Sequence, residues 1–251
     1  MTLEVQSLSK RYPGKDGAVN ALKNLDLQVR PGEIFGLLGP NGAGKTTAVK
    51  LIMGFLQPSD GEIRLGGKPL KPSEPRDQIG YLPESFRPNP NLSVTEYLRF
   101  QCRLAHRNSA PKEKTVDELL EMVEMKRFAK RRISSLSKGM GQRLGLAQAF
   151  AGDPTVLILD EPTSGLDPLG KGDVIQLLLD MKAAGKTIFF CSHILSEVER
   201  LCDRIGILNN GELKFMGTVE AFYAKWNVND LELAFRQEVL CGQSSPSATS
   251  P

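Results

Sequence analysis

Glu33-Ile34-Phe35-Gly36-Leu37-Leu38-Gly39-Pro40-Asn41-Gly42-Ala43-Gly44-Lys45-Thr46 joins an apolar run to a glycine-rich loop. The apolar run predicts a strand buried on both faces, and helical residues follow from about Lys45 to Met53. This order of strand, loop and helix is what a P-loop requires, because loop amides and a helix N-terminus then converge on phosphate. The stretch therefore predicts a binding site for a nucleoside triphosphate.

Each residue type in the loop has a physical role in that chemistry. The glycines at 39, 42 and 44 allow tight curvature and a close approach of the backbone to phosphate. Lys45 is expected to neutralise the β- and γ-phosphate oxygens, and the Thr46 hydroxyl to take one position on Mg²⁺.

A second apolar strand, Val156 to Asp160, ends in the carboxylate pair Asp160-Glu161. Because ligands of α/β folds bind at the carboxyl ends of strands, Asp160 is expected to hold Mg²⁺ through water. Glu161 is expected to orient and polarise the water that attacks the γ-phosphate. A helix is predicted from about Pro168 to Ala184, and a further parallel strand from Thr187 to Cys191.

Composition sets the outer bounds. The chain has 251 residues, of which 40% are hydrophobic and 24% charged, as is ordinary for a soluble α/β protein. The net charge of +3 is too small to indicate nucleic-acid binding. No window approaches the roughly 20 apolar residues that span a bilayer, and no signal-peptide core is present. The four cysteines have no metal-ligand spacing and are expected to be reduced thiols.

The remaining segments divide by their patterns. Leu3 to Val29 predicts short antiparallel strands, Glu84 to Phe150 a helical lobe, and Ile205 to Phe215 a hairpin that turns at Asn210-Gly211. The tail Gly242 to Pro251 is rich in Ser and Pro, which is typical of disorder.

Two capping boxes are expected in the helical lobe, Ser93 with Glu96 and Thr115 with Glu118. His106, in the same lobe, lacks functional context and is expected to face solvent. The charged segment Lys126 to Arg132 is expected to be a solvated face, and the alternative is a contact with a permease or with anionic lipid headgroups.

Leu136-Ser137-Lys138-Gly139-Met140-Gly141-Gln142-Arg143 shortly precedes the carboxylate strand. Together with the P-loop and Asp160-Glu161, it resembles the ATP-binding subunit of an ABC transporter, over about Leu3 to Phe235. By itself, this segment would read as an ordinary helix cap. The resemblance implies an α/β P-loop NTPase fold with a RecA-like parallel sheet core, an N-terminal antiparallel β subdomain and an inserted helical lobe.

The resemblance implies a single ATPase domain over residues 1–241. Its sheet core and β subdomain would take residues 1–83 and 151–217, the helical signature lobe 84–150, and the C-terminal helices 218–241. The implied cofactors are ATP and Mg²⁺.

The resemblance also assigns site residues. Glu161 and His193 are expected to be catalytic, and Thr46, Asp160 and Glu84 to bind the metal. The residues expected to bind nucleotide are Tyr12, Gly39, Pro40, Asn41, Gly42, Ala43, Gly44, Lys45, Thr46, Thr47, Ser137, Gly139 and Asp167. Tyr12 would stack on adenine, although a tyrosine that only packs a strand edge remains an alternative. A structural role remains the alternative for His193.

Two departures from the commonest family pattern are present. Lys138 and Met140 stand where glycine and glutamine are more usual, as in some exporter-type ATPases. Glu84 stands where a glutamine usually contacts magnesium and senses the permease. Its extra negative charge is expected to alter nucleotide binding or coupling.

The implied active unit is a head-to-tail pair, with a homodimer favoured, in which Ser137, Gly139 and Asp167 act across the interface. The other implied partner is a separate transmembrane permease, and export is favoured over uptake. No nucleic-acid partner is expected. The chain is expected to be cytoplasmic and peripheral on the inner face of the membrane, with membrane contact only through the permease.

Two other functions stay open at this point. A soluble, non-transport ABC ATPase acting in an assembly complex could have the same motifs. A module that binds nucleotide without turnover is disfavoured because Glu161 and His193 are both present. The transported substance cannot be read from this chain.

Overall fold

The computed structural model describes residues 1–14, 17–105 and 116–241. The chain divides into two compact units. The first contains Met1 and residues 30–34 and 74–191, and the second contains residues 2–29, 35–73 and the chain from 192 onward. The expectations for His106, for the Thr115 capping box and for the tail from Gly242 lie outside the described residues.

An antiparallel sheet in the second unit confirms the prediction for the N-terminal segment. Its strand order is β2-β1-β4-β5, and all three neighbouring pairs are antiparallel. Leu3, Val5, Leu25, Leu27 and Val29 are buried, whereas polar residues between them face outward, so one face packs and the other is solvated. The strands are β1 (Leu3–Tyr12), β2 (Val19–Val29), β4 (Asp60–Leu65) and β5 (Lys68–Pro69).

The P-loop strand belongs largely to the second unit. β3 (Ile34–Leu38) is fully buried and runs parallel to β9 (Arg204–Asn209), which pairs antiparallel with β10 (Glu212–Gly217). Asn210 and Gly211 both have positive φ, 49° and 78°, as a tight two-residue hairpin turn requires. The helices of this unit are α1 (Lys45–Ile52), α6 (Leu195–Leu201), α7 (Val219–Trp226) and α8 (Leu231–Cys241).

Three parallel strands lie in the first unit. They are β6 (Ile79–Leu82), β7 (Val156–Asp160) and β8 (Thr187–Cys191), with β7 paired to both others. Every residue of β7 and β8 is buried, which explains their continuous apolar sequences. The helix α5 (Pro168–Ala183) joins β7 to β8 and begins after Asp167, as predicted.

The helical region of the first unit begins later than predicted. The helices are α2 (Val94–Ala105), α3 (Val116–Met122) and α4 (Lys138–Phe150), with 3₁₀ turns at Lys126–Phe128 and Ile133–Ser135. Residues 84–93 are not helical, because Pro88 and Pro90 disfavour helical conformations there.

The first capping box is confirmed in α2. The Ser93 amide donates to Glu96 Oε2 at 2.8 Å, and the Glu96 amide donates to Ser93 Oγ at 3.2 Å. The hydrogen bonds that the Ser93 amide and hydroxyl donate to the Glu96 carboxylate lower its pKa.

Within the described ranges, no helix is long and apolar enough to cross a bilayer. Cys102 and Cys191 are buried cysteines and Cys202 is a half-buried one, and none of the three forms a disulfide bond. Across the same ranges, no group of three or more His, Cys, Asp or Glu side chains is arranged to hold a metal ion.

The close contact between β6 and α4 at Gly80 predicts that one added methyl group will lower stability. A Cβ at Gly80 would lie 1.9 Å from the carbonyl oxygen of Ala149, a backbone atom that cannot rotate away. We expect Gly80→Ala to lower the free energy of unfolding, measured with urea, by about 1–3 kcal/mol. Gly172→Ala is the control, since nothing lies within 4 Å of its Cβ position in α5, and it should not destabilise. Equal stability of Gly80→Ala and wild type would contradict the packing described.

Candidate functional site

The P-loop has the geometry of an anion cradle. Gly42 and Gly44 adopt φ of 81° and 113°, which turns the chain sharply between β3 and α1. No side chain caps the N-terminus of α1, so its first amides can serve a ligand. Lys45 Nζ donates to the carbonyls of Gly39 at 2.6 Å and Pro40 at 3.2 Å, which holds the ammonium over the loop. This arrangement fits a polyphosphate.

The β9–β10 hairpin and β2 fix the backbone of this loop. A Cβ at Gly39 would lie 2.2 Å from the Leu208 carbonyl oxygen, and one at Gly44 would lie 2.6 Å from the Ala21 carbonyl oxygen. The Gly211 amide donates to the Ala43 carbonyl at 2.9 Å. The sequence predicted this hairpin, but nothing in its pattern indicated that its turn supports the P-loop.

The other residues of the second unit that are expected to bind nucleotide lie at the end of β1 and in the first turn of α1. Tyr12 is half-buried at the end of β1, with Lys10 Nζ 5.4 Å from its ring centroid. Lys10 also donates to the Gln57 carbonyl at 2.7 Å, so one face of the ring is already covered by a held ammonium. Thr46 and Thr47 lie in the first turn of α1, and the exposed Thr46 is accessible to a metal ion.

His193 is exposed after Ser192, whose hydroxyl accepts a hydrogen bond from the Ile194 amide at 3.0 Å. The imidazole borders an open groove of about 620 Å³ against Phe235 and Arg236 of α8. The expected catalytic position is therefore at the surface of its unit.

The two carboxylates at the end of β7 are both buried. Asp160 is 5% exposed and Glu161 is 7% exposed. Glu161 has φ of 53°, which turns the chain out of the strand, and its amide donates to the Cys191 carbonyl at 2.9 Å. Gln142 of α4 donates from Nε2 to the Glu161 carbonyl at 3.1 Å in a buried setting. The sequence motif around Gln142 does not by itself indicate this contact.

The pKa of Tyr81 reflects the charged groups near the end of β7. Burial raises the pKa of its phenol to about 12, and the nearby Asp160, Cys191 and Glu84 add to the rise. Asp160 and Glu84, two of the three expected metal ligands, therefore lie within electrostatic reach of one ring in the first unit. Thr46, the third, belongs to the second unit.

The segment before α4 packs on the loop after Glu161. Ser137 caps α4 by accepting from the Met140 amide at 3.3 Å. A Cβ at Gly139 would lie 3.0 Å from Leu166 Cδ2, and one at Gly165 would lie 2.5 Å from Lys138 Cδ, so side chains of each segment pack on backbone of the other. Lys138, the departure from the family pattern, thus covers a glycine with φ of 77°.

Asp167 caps α5, because its Oδ1 accepts from the Gly170 amide at 2.8 Å and Pro168 follows it. The N-cap prediction is confirmed. The neighbouring Leu169 is 79% exposed, which leaves an apolar side chain in solvent beside this loop.

The chain is similar to a known protein family and to several known proteins. A family model described as ABC transporter matches residues 22–164. An uncharacterized ABC transporter ATP-binding protein of Nostoc sp. is 45% identical over 229 residues, which are 90% of this chain and 68% of the relative. The Nod factor export ATP-binding protein I of Cupriavidus pinatubonensis is 39% identical over 83% of this chain and 64% of the relative. The chain thus spans about two thirds of these relatives.

Solved structures agree with the fold. The chain is similar to an ATP binding subunit of an ABC transporter, with a TM-score of 0.83, 32% identity and coverage of 95% of this chain and 99% of that one. It is also similar to a dimeric ATP-binding cassette in a post-hydrolysis state bound to ADP and Pi. For that structure the TM-score is 0.78, with 26% identity and coverage of 86% of this chain and 98% of that one.

The Tyr81 phenol predicts a pH dependence of stability. Its pKa of about 12 in the folded state lies above the ordinary phenol pKa of about 10, so the folded state holds the proton more tightly. The resulting stabilisation is complete below pH 10 and is lost as pH rises from about 10 towards 12. We expect the unfolding free energy of Tyr81→Phe, measured by urea titration, to fall less steeply over that range than that of wild type. Parallel curves would contradict this.

Proposed function

The chain belongs to the ABC transporter family of ATP-binding proteins, and on that premise we propose that it hydrolyses ATP to drive a separate membrane permease. The observation that carries the proposal is the geometry of the P-loop. The Lys45 ammonium and the uncapped N-terminus of α1 both present positive charge to a triphosphate. The family membership supports this transport ATPase over a soluble assembly ATPase with the same motifs.

Binding and hydrolysis divide among the described residues as follows. The amides of the P-loop and the ammonium of Lys45 bind the β- and γ-phosphates. Glu161 accepts a proton from the attacking water and holds it in line, and the exposed His193 contacts the γ-phosphate. Gln142 positions Glu161, because its amide fixes the backbone carbonyl of that residue. Tyr12 offers the ring face away from Lys10 to the adenine.

The side chains expected to bind Mg²⁺ carry the oxygen atoms that this ion needs. Thr46 offers an exposed hydroxyl, and Asp160 and Glu84 offer carboxylates, which are the oxygen donors that Mg²⁺ prefers. When bound, Mg²⁺ neutralises charge on the β- and γ-phosphates. Glu84 adds a negative charge where the family usually has a neutral glutamine. We expect its carboxylate to repel the phosphates of ATP and so to weaken ATP binding.

A second copy of the chain completes the site in this proposal. In the proposed pair, the Ser137 hydroxyl and the start of α4 contact an anion, and the exposed Leu169 beside Asp167 suits burial against another protein surface. A related cassette forms a dimer with ADP and Pi, which supports a pair. We propose a head-to-tail homodimer in which Ser137, Gly139 and Asp167 face the nucleotide of the partner.

Export is the proposed direction of transport. Similarity to a Nod factor export protein and the Lys138 and Met140 departures support this choice. The permease would hold the chain at the cytoplasmic face of the membrane. We propose no identity for the transported substance, since the residues that contact it would belong to the permease.

Glu161→Gln tests hydrolysis and pairing together. We expect ATP turnover to fall by about 100-fold or more, because the general base is lost while the shape of the side chain is kept. Unhydrolysed ATP should then hold the pair together, so light scattering with ATP and Mg²⁺ should show a dimer. Glu220→Gln, an exposed change on α7, should hydrolyse ATP as wild type does. The proposal would be wrong if Glu161→Gln turned over ATP as fast as wild type, or if this variant stayed monomeric at saturating ATP.

Glu84→Gln tests the unusual charge near the phosphates. We expect basal ATPase activity to persist, because glutamine retains an oxygen ligand, and the response to the copurified permease to change. The measurement is steady-state turnover with and without that permease in lipid. Loss of all basal hydrolysis, or an unaltered response, would show that the assigned role of Glu84 is wrong.

A further inference from the structure

The last residue of β9 forms a hydrogen bond with helix α8. Asn209 is only 2% exposed, and its Nδ2 donates to the Val239 carbonyl of α8 at 3.3 Å. Val239 lies in the last turn of α8, where the carbonyls of a helix are open to donors from other elements. The buried Asn209 side chain therefore fixes the end of α8 to β9.

The residue before Asn209 contacts the P-loop. Side chains alternate along a strand, so Leu208 and Asn209 point to opposite faces of β9. A Cβ at Gly39 would lie 2.2 Å from the Leu208 carbonyl oxygen, and one at Gly44 would lie 3.3 Å from Leu208 Cδ2. Two successive residues of β9 thus contact the phosphate loop and α8.

A buried carboxylate holds the same turn of α8 against α7. Glu238 is 8% exposed, and its Oε2 accepts from Lys225 Nζ at 2.5 Å and from Trp226 Nε1 at 2.9 Å. A carboxylate that is shielded from water needs such partners, because its charge is otherwise costly to bury. Since Val239 follows Glu238 directly, α7 and β9 together fix the position of this turn.

Helix α8 also borders the groove that contains His193. Phe235 and Val239 of α8 line this groove together with His193 and with Leu195 of α6. Val239 therefore lines the groove of the imidazole, and its carbonyl accepts the hydrogen bond from Asn209. The position of α8 is thus connected both to the P-loop support and to the surroundings of His193.

From these contacts we infer that α8 is a positioning element of the nucleotide site and that Asn209 is the positioning residue through which it acts on the P-loop. A shift of α8 moves the end of β9 that supports the loop and changes the groove wall beside His193. This role rests on the proposed function, because it concerns two groups that we assign to the phosphates of ATP. It adds to that function a part of the chain, outside the motifs, that controls the affinity for ATP.

Replacing Asn209 tests the link between α8 and the P-loop. Asn209→Ala should weaken binding of a non-hydrolysable ATP analogue with Mg²⁺, measured by calorimetry, by about fivefold, as expected for one lost hydrogen bond. Asn209→Asp keeps the size of the side chain but turns an acceptor towards the Val239 carbonyl, so it should weaken binding at least as much. Wild-type affinity in both variants would overturn the role of Asn209.

Replacing Glu238 tests whether α8 itself is responsible. Glu238→Gln removes the charge that holds Lys225 and Trp226, so it should loosen α8 and weaken binding of the analogue in the same direction as Asn209→Ala. Weakened binding by Asn209→Ala together with wild-type binding by Glu238→Gln would confine the effect to β9 and overturn the role of α8.

The NMR resonance of the His193 ring provides a second readout. The chain has two histidines, so the His193 signal can be assigned by its loss in His193→Gln. Asn209→Ala should shift this signal, because α8 lines the groove of the imidazole. An unmoved signal would overturn the link to His193.

Two control variants separate positioning from general destabilisation. Leu233→Ala changes a residue of α8 that is 51% exposed, and Ile63→Val removes a buried methyl group from β4 of the same unit. Both should bind the analogue and show the His193 signal as wild type does, and losses like those of Asn209→Ala in Ile63→Val would overturn the positioning role. Because both readouts are made without turnover, a failure of the proposed hydrolysis is distinguished from a failure of this role.

Discussion

The close packing of the P-loop backbone against the β9–β10 hairpin is the constraint on which the nucleotide-binding unit depends. Gly39 leaves no room for a side chain before the Leu208 carbonyl, and the Gly211 amide bonds the Ala43 carbonyl. These contacts place the loop amides and the Lys45 ammonium before any ligand arrives. Preorganised dipoles need little rearrangement on binding, which is why such a loop can bind phosphate effectively.

The first unit achieves a comparable rigidity by different means. One helix, α4, is capped by Ser137, and a little more than one turn later its Gln142 donates to the backbone carbonyl of Glu161, the proposed general base. Lys138 and Leu166 pack the start of the helix on the loop that leads to Asp167. Because α4 contacts both Glu161 and the Gly165–Leu166 part of this loop, a movement of α4 would shift both, and this would link the partner proposed at Ser137 to the geometry of Glu161.

Much of this architecture follows from the sequence because it is local. The short apolar runs at Val156–Asp160 and Thr187–Cys191 are typical of strands buried on both faces, and the glycines of the P-loop permit the turns that they make. The caps at Ser93 and Asp167 also depend on neighbours three residues away. The contacts of Gln142 with Glu161 and of Gly211 with Ala43 join distant segments. No periodicity or motif encodes such contacts, because they depend on how finished elements pack.

The backbone of Glu161 has a further consequence. A non-glycine residue in the left-handed region is disfavoured by roughly 1–2 kcal/mol, and here the residue is also buried. Glycine would relieve that strain, but it would remove the carboxylate. A laboratory selection for heat resistance alone should therefore favour glycine at this position, at the expense of the carboxylate that we propose as the general base.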